Sequence, residues 1–483
     1  MSSYRPVLLV IGTLMSILSV AMIIPAILDL YLDNPDWKSF VISALITCFT
    51  GVSLVLTNQG NNTQLTIRQT FLLTTLSWVV VPAFSALPFV FANLDMSYTD
   101  GMFEAMSGLT TTGSTVMTGL DAAPPGILLW RALLHGLGGI GIIVMALAIL
   151  PMLKIGGMQL FRTESSDKSD KVLPRARQVA GAMTGIYVFL IFTATIFLWL
   201  GGMTELDALC HAIGAVSTGG FGNHDSSVAY YNSPLLEGIL IVFMFLGALP
   251  FVLFVQILRG KEVSLLWQDE QVRWFILIII FSVGIIVLWL VARDEMPFLQ
   301  ALRHTLFNVV SIITTTGFAS VDYGLWGTFV VAFLFMLTVV GGCTGSTSGG
   351  IKIFRFNILY NTANSQVAHL VSPNAIYRAY FNGKPVTEEV KASVMSFFIL
   401  FAFCYLVLAV LLSLTGLDFL TSMSGAATAL ANVGPGFGDV IGPVGNFSTL
   451  NDPAKWFLTA GMLIGRLEIF TVLVLFTPQF WRD

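Results

Sequence analysis

A threonine- and glycine-rich segment that recurs four times constrains this chain more than any other feature. Thr110-Thr111-Thr112-Gly113 is the first copy and Val216-Ser217-Thr218-Gly219-Gly220-Phe221 the second. Ile313-Thr314-Thr315-Thr316-Gly317-Phe318 is the third, and Leu430-Ala431-Asn432-Val433-Gly434-Pro435 a looser fourth. Aligned on Gly113, Gly220, Gly317 and Gly434, the copies stand roughly a hundred residues apart, the size of a structural repeat. The alignment extends outward. Six residues before each glycine is a small residue, Ser107, Gly214, Ser311 or Thr428. Five residues after the last three glycines is an acid, Asp225, Asp322 or Asp439; in the first copy the acid comes later, at Asp121. Four copies of a backbone-exposing loop predict a pore with pseudo-fourfold symmetry.

Composition places these loops in a membrane. The 483 residues are 55% hydrophobic and 10% charged, with a mean hydropathy of +0.83, whereas a soluble domain carries about 25% charge. The net charge of −4 lacks the basic excess that a nucleic-acid binder needs, so no nucleic-acid partner is expected. The cysteines Cys48, Cys210, Cys343 and Cys404 have no CxxC spacing, and neither a zinc site nor a disulfide framework is indicated. The first apolar stretch is too long for a signal-peptide core and reads as a retained helix.

Segments of about 20 apolar residues can span the bilayer. Residues 6–30 and 38–57 form an opening pair. Four units follow, each a helix, a re-entrant segment and a second helix: 66–92, 97–120 and 124–152; 178–201, 204–225 and 234–258; 273–292, 297–322 and 325–358; 390–416, 418–440 and 453–478. The expected fold is thus an all-α integral membrane protein of ten transmembrane helices. It divides into an N-terminal pair (1–60) and repeats at 61–160, 161–260, 261–375 and 376–483. The re-entrant segments start near Thr99, Thr204, Pro297 and Asp418 and are too short and polar to cross. Irregular backbone at membrane depth must be buried in protein or line a watery cavity, so the four loops point toward one another.

Basic residues fix the orientation. Lys154, Arg162, Lys168, Lys171, Arg175 and Arg177 follow the first unit; Arg259, Lys261 and Arg273 the second; Lys352, Arg355, Arg378, Lys384 and Lys391 the third. All lie on one side in a ten-span count, which makes that side and both termini cytoplasmic. The four loops and Asp225, Asp322 and Asp439 then face outward, where the acids concentrate cations at the mouth. Rings of backbone carbonyls replace the water of a dehydrated alkali cation. Aiming several carbonyls at one axis needs backbone that glycine adopts without steric cost. The C-termini of the preceding half-helices add partial negative charge. Each feature favours a cation.

In these motifs the chain resembles the Trk/Ktr/HKT superfamily of potassium transporters, and within it the bacterial TrkH/TrkG branch. The resemblance rests on the opening pair, four helix–pore-loop–helix units, one glycine per loop, the glycine-rich break described below and an arginine in the last helix. It implies that potassium is the transported ion. It also implies a selectivity filter of Thr111, Thr112 and Gly113, Thr218, Gly219 and Gly220, Thr315, Thr316 and Gly317, and Asn432, Val433 and Gly434. Plant relatives with a serine at the first filter glycine prefer sodium; Gly113 here favours potassium. Gly219 and the pair Asn432-Val433 depart from the Thr pattern. The resemblance further implies a homodimer in a bacterial inner membrane, regulated by a cytosolic nucleotide-binding TrkA-type subunit. The rival reading within the superfamily is a sodium-permeable or proton- or sodium-coupled symporter.

Two features lie below the loops. Gly341-Gly342-Cys343-Thr344-Gly345-Ser346-Thr347-Ser348-Gly349-Gly350 interrupts a long apolar helix, and each glycine costs a straight helix about 1 kcal/mol. No Gly-Lys-Ser/Thr follows, so it is not a phosphate loop. By resemblance Gly345, Ser346, Thr347, Ser348 and Gly349 form an intramembrane gate. Arg466 lies deep in the last span, where an arginine costs at least about 2.5 kcal/mol and is functional by default. Residues i and i+2 do not face each other on a helix, so Glu468 is a poor partner and the pore or Glu104 remains. His211, Glu104 and Asn308 align with one another and read as braces of the half-helices; His135 reads as a packing residue. The loop 154–177 is a candidate docking site for a cytosolic partner. No convergent Ser/His, paired Asp or His/Glu set marks an enzyme, and the parallel repeats argue against an inverted-repeat carrier.

Overall fold

The computed structural model describes residues 4–60, 65–148, 172–260, 262–375 and 377–482. The loop expected to dock a partner, and the repeat boundaries near 61 and 160, lie almost wholly outside these residues. Seven helices are long and apolar enough to cross a membrane: Arg5–Tyr31, Trp37–Asn58, Ile67–Phe91, Pro125–Met145, Gln178–Leu200, Glu270–Ala292 and Glu388–Leu414. Their outward side chains are apolar, as Ile17, Val20, Phe189, Phe192, Leu277, Ile280, Ile399 and Phe403 show, which suits lipid contact.

Two expected spans are sharply broken instead of straight. Pro234–Gly247 meets Phe251–Leu258 at 88°, and Asp452–Arg466 meets Ile469–Phe476 at 111°. The first break contains Pro250, which cannot donate a helical hydrogen bond. The second falls at Glu468, whose φ is +60°. Counting each bent pair once, up to nine spans qualify by length and composition among the described residues. The tenth expectation, 325–358, is realised as Thr328–Thr338, irregular backbone, and Ile353–Val371. The break lies where the glycine run predicted it. One further departure from an all-helical fold is a small antiparallel hairpin, Tyr380–Phe381 with Lys384–Pro385.

Between the spans lie four short helices, Tyr98–Leu109, Glu205–Val216, Phe298–Ile313 and Phe419–Ala431. Each begins at a residue that sequence chemistry favours. Ser97 forms a capping box with Asp100, Thr204 accepts from the Asp207 amide, and Asp418 accepts from the Thr421 amide. Pro297 starts the third. The first cap is therefore Ser97 and not Thr99: the extended backbone that a cap requires falls at Ser97. The N-terminal pair is anchored to the first unit by Asp29, whose Oδ1 accepts from the Gly126 amide at 2.7 Å. A carboxylate there also meets the positive end of the helix Pro125–Ala148. Two large apolar clusters hold the rest, one joining the second and third units, the other joining the N-terminal pair to the first and fourth.

Candidate functional site

The four Thr/Gly segments repeat one backbone conformation. Two residues before each glycine the chain turns left-handed, at Thr111 (φ 50°), Thr218 (53°), Thr315 (59°) and Asn432 (54°). The glycines follow with φ 87°, 82°, 88° and 106° at Gly113, Gly220, Gly317 and Gly434. The residue before each glycine donates its N–H to the carbonyl of the small residue marked in the sequence. These bonds are Thr112 to Ser107, Gly219 to Gly214, Thr316 to Ser311 and Val433 to Thr428, at 2.8–3.1 Å. Threonine and asparagine in left-handed backbone are uncommon and costly, and persist only where the surroundings hold them.

The segments close on each other. A Cβ at Gly113 would lie 2.2 Å from the Gly219 carbonyl oxygen, and one at Gly220 1.8 Å from that of Thr316. One at Gly317 would lie 2.0 Å from the Val433 oxygen, and one at Gly434 2.8 Å from that of Thr112. Each glycine thus faces the carbonyl that precedes the glycine of the next segment, and the fourth returns to the first. Asn432 Nδ2 donates to Thr112 Oγ1 at 2.9 Å, and Ser114 Oγ to the Gly434 carbonyl at 2.7 Å, across the closing joint. Thr111 Oγ1 and Asn432 Oδ1 are buried without a hydrogen-bond partner among the described residues.

The departure at Gly219 has a steric reason. His135 sits against it, and a Cβ at Gly219 would lie 2.4 Å from the imidazole Cγ. The Phe221 amide donates to His135 Nε2 at 3.1 Å. Nδ1 therefore carries the proton and donates to the Gly108 carbonyl at 2.8 Å, so the ring ties the first segment to the second as a neutral imidazole. Its role exceeds the simple contact expected of it. Gly219→Ala is expected to destabilise the folded protein by about 1–3 kcal/mol, the usual effect of overfilling a packed site. Thermal unfolding in detergent checks this, and an unchanged midpoint would show that the ring moves aside freely.

Of the three residues expected to brace the half-helices, Glu104 and Asn308 hold the loops beyond the glycines. Three residues past the glycine, the Val116 amide donates to Glu104 Oε2 at 3.0 Å, and the Ser320 amide to Asn308 Oδ1 at 3.3 Å. In the fourth segment the Phe437 amide uses Ser424 Oγ at 3.0 Å. His211 instead bonds the Asp207 carbonyl and stacks 5.6 Å from Phe318. Sequence reasoning missed Arg131. This buried arginine donates from Nε to Glu104 at 2.8 Å, from Nη1 to the Gly222 carbonyl at 2.7 Å and from Nη2 to Thr115 at 3.2 Å. It also lies 4.1 Å over the Phe221 ring. An ionisable residue inside a span was the available signal.

A cavity of about 270 Å³ opens outside the ring, lined by Gly113, Gly220, Gly317 and, among the acids, Asp225. Asp225 accepts from the Gly119 and Leu120 amides at 3.0 and 3.1 Å, linking the first two mouth loops. Asp322 caps the turn Tyr323–Leu325 and Asp439 is exposed; neither lines that cavity. The hydrogen bond from His224 Nδ1, at 2.6 Å, holds the Asp121 carboxyl below its ordinary range.

On the other side of the ring the run 341–350 lies against three of the four segments. Thr347 Oγ1 donates toward the carbonyls of Val216 and Gly247 at 3.0 and 2.9 Å. The Gly349 amide donates to Thr315 Oγ1 at 2.6 Å, and the Gly350 amide to the Ala431 carbonyl at 2.8 Å. Ser348 and Gly345 are fixed within this loop region, Ser348 by the Gly342 amide and Ser346 Oγ, Gly345 through its carbonyl to the Phe251 amide. Arg466 Nη1 donates to the Thr347 carbonyl at 2.9 Å, while Nε and Nη2 are buried without a hydrogen-bond partner among the described residues. Neither acid considered for Arg466 pairs with it: Glu104 takes Arg131, and Glu468 takes Arg355 at 2.5 Å.

A sequence model of the TrkH family, described as a cation transport protein, matches residues 38–482. The Trk system potassium uptake protein TrkI of Halomonas elongata is 45% identical over 99% of this chain and 97% of its own length. The Trk system potassium uptake protein TrkH of Escherichia coli is 36% identical over 99% of this chain and all of its own. The crystal structure of the potassium transporter TrkH from Vibrio parahaemolyticus superimposes with a TM-score of 0.92 at 35% identity, covering both chains completely. With the family model spanning nearly its whole length and these relatives alike from end to end, the chain belongs to the TrkH family of cation transport proteins, a family of transporters and not of enzymes.

Proposed function

We propose that the chain takes up potassium through a pore along the axis of the closed ring. The observation that carries this reading is the ring itself: four glycines in left-handed backbone, each facing the carbonyl of the next segment. Such carbonyl sets replace the hydration shell of a potassium ion. The filter comprises Thr111, Thr112, Gly113, Thr218, Gly219, Gly220, Thr315, Thr316, Gly317, Asn432, Val433 and Gly434. The short helices end at Leu109, Val216, Ile313 and Ala431, directly before the ring, so their negative ends favour a cation there. Asp225 supplies charge at the mouth, with Asp322 and Asp439 further out. The loop from Gly345 to Gly349 and Arg466 form the gate. The names of the relatives, all Trk system potassium uptake proteins, support potassium as cargo. From the resemblance in its motifs and the placement of its basic loops we further propose a homodimer of the bacterial inner membrane with cytoplasmic termini, regulated by a cytosolic nucleotide-binding TrkA-type subunit.

Potassium and sodium flux into liposomes carrying the purified protein tests the reading. Flux strongly favouring potassium supports it; equal flux of both ions would remove potassium selectivity. Gly113→Ser is the sharper probe. The new side chain would press on the Gly219 carbonyl in a backbone conformation that serine rarely adopts. The preference for potassium over sodium is expected to fall by about tenfold, the equivalent of about 1.4 kcal/mol. An unchanged ratio would refute the filter assignment.

A further inference from the structure

A crevice of about 840 Å³ lies between the helices Glu270–Ala292 and Ile353–Val371 and the hairpin 380–385, within the range of cavities that hold small ligands. Arg273, in the first turn of its helix, and Arg378, on the approach to the hairpin, both line it and both are exposed. Neither guanidinium has an ion pair or hydrogen bond among the described residues. Glu270 lies on the same rim and leaves an excess of one positive charge. The helix Glu270–Ala292 is the most apolar of the candidate spans, so its first turn sits where the hydrocarbon begins. Trp274 and Tyr360 stack edge to face at 5.2 Å on the wall, with Tyr377 and Tyr380 exposed beside them. Tryptophan and tyrosine gather at that depth. One turn deeper, Leu277 leaves a bare aliphatic surface, 62% exposed. The wall is already built: Asn361 Nδ2 donates to Asn357 Oδ1 at 2.7 Å and to the Tyr380 carbonyl at 2.9 Å.

Unpaired arginines at headgroup level, aromatics beside them and aliphatic surface below describe a ligand with an anionic head and a hydrocarbon tail. We propose that this crevice binds the phosphate of an anionic phospholipid, with Arg273 and Arg378 on the phosphate and an acyl chain along Leu277. Basic pockets between transmembrane helices recognise acidic headgroups in this way. The site stands directly behind the 341–350 loop. Gln271, beside Arg273, accepts from the Thr344 amide at 2.9 Å, and the opposite wall is the helix that follows Gly350.

The test is native mass spectrometry of the purified full-length protein in neutral detergent, titrated with phosphatidylglycerol or phosphatidylcholine. Phosphatidylglycerol is expected to bind about tenfold more tightly than phosphatidylcholine, and R273Q/R378Q to remove that difference, because each basic residue near the surface contributes roughly fivefold. R273K/R378K is expected to keep most of it. Equal binding of the two lipids, or a preference unchanged in R273Q/R378Q, would overturn the proposal. Displacement of phosphatidylglycerol by inorganic phosphate would also overturn it, assigning the crevice to a soluble anion. A change in self-association of R273Q/R378Q at unchanged lipid binding would assign it to a second copy of the chain. All of these readouts are independent of ion flux, so failure here leaves the potassium reading untouched.

Discussion

Arg466→Ala is expected to raise potassium flux by between about tenfold and a hundredfold in liposomes. The guanidinium is buried beneath the ring and bonded to the 341–350 loop through the Thr347 carbonyl. An ion passing about 6 Å from it, at an effective dielectric constant near 20, would meet a barrier of about 3 kcal/mol, roughly a hundredfold in rate. Alanine removes that barrier and the bond that holds Thr347 in place, and both changes open the path. Arg466→Lys keeps the charge and should conduct no faster than the parent. Lower flux from a folded Arg466→Ala protein would sink the gate assignment and make the arginine a structural support.

The second large effect is expected at Glu104 and Arg131. Their side chains are buried and joined at 2.8 Å, and together they hold Val116, Thr115 and Gly222 just outside the ring. Arg131→Met alone leaves a buried carboxylate uncompensated, a loss of about 3–5 kcal/mol. Glu104→Gln alone should fall nearly as far, while the double variant should recover part of the loss, because the pair shares one network. A cycle of thermal stabilities measures this. Strict additivity of the two single changes would show that the pair is not a unit. Potassium flux should fall by more than tenfold in either single variant, since the mouth segments lose their anchor.

The difference between Arg466 and Arg131 shows what was legible in the chain. Both are arginines inside spans, and the same desolvation argument applies to each. Arg466 stands out in the sequence because it lies deep in the last expected span, although the structure ends a helix there; Arg131 lies in a helix whose glycines and His135 point to packing. Its partners, Glu104, Thr115 and Gly222, come from two different units, and no local pattern announces such a convergence. The fourfold spacing was legible because each loop needs the same backbone. The small residues six positions before the glycines proved to be the carbonyl acceptors of that turn, a role that depends on spacing and not on side chain, which explains why their identities vary. The bend at Pro250 carried a signal. The bend at Glu468 contains no proline; its φ is +60°, and Arg355, on another helix, pairs with its carboxylate. Gly219 is an irregular copy in the sequence, and in the fold His135 occupies the space of the missing side chain.

The ring is made by one polypeptide, and its four corners are non-identical. A pore assembled from identical subunits repeats every substitution at all corners, so a small steric change is multiplied at once. Here a substitution enters a single time, and the other three corners keep their geometry. Gly219 with His135, and Asn432 with Thr112, are two such local solutions, each found at a single joint of the ring. Under the filter proposed above, ion preference can therefore be adjusted in quarter steps, with each corner free to acquire its own chemistry.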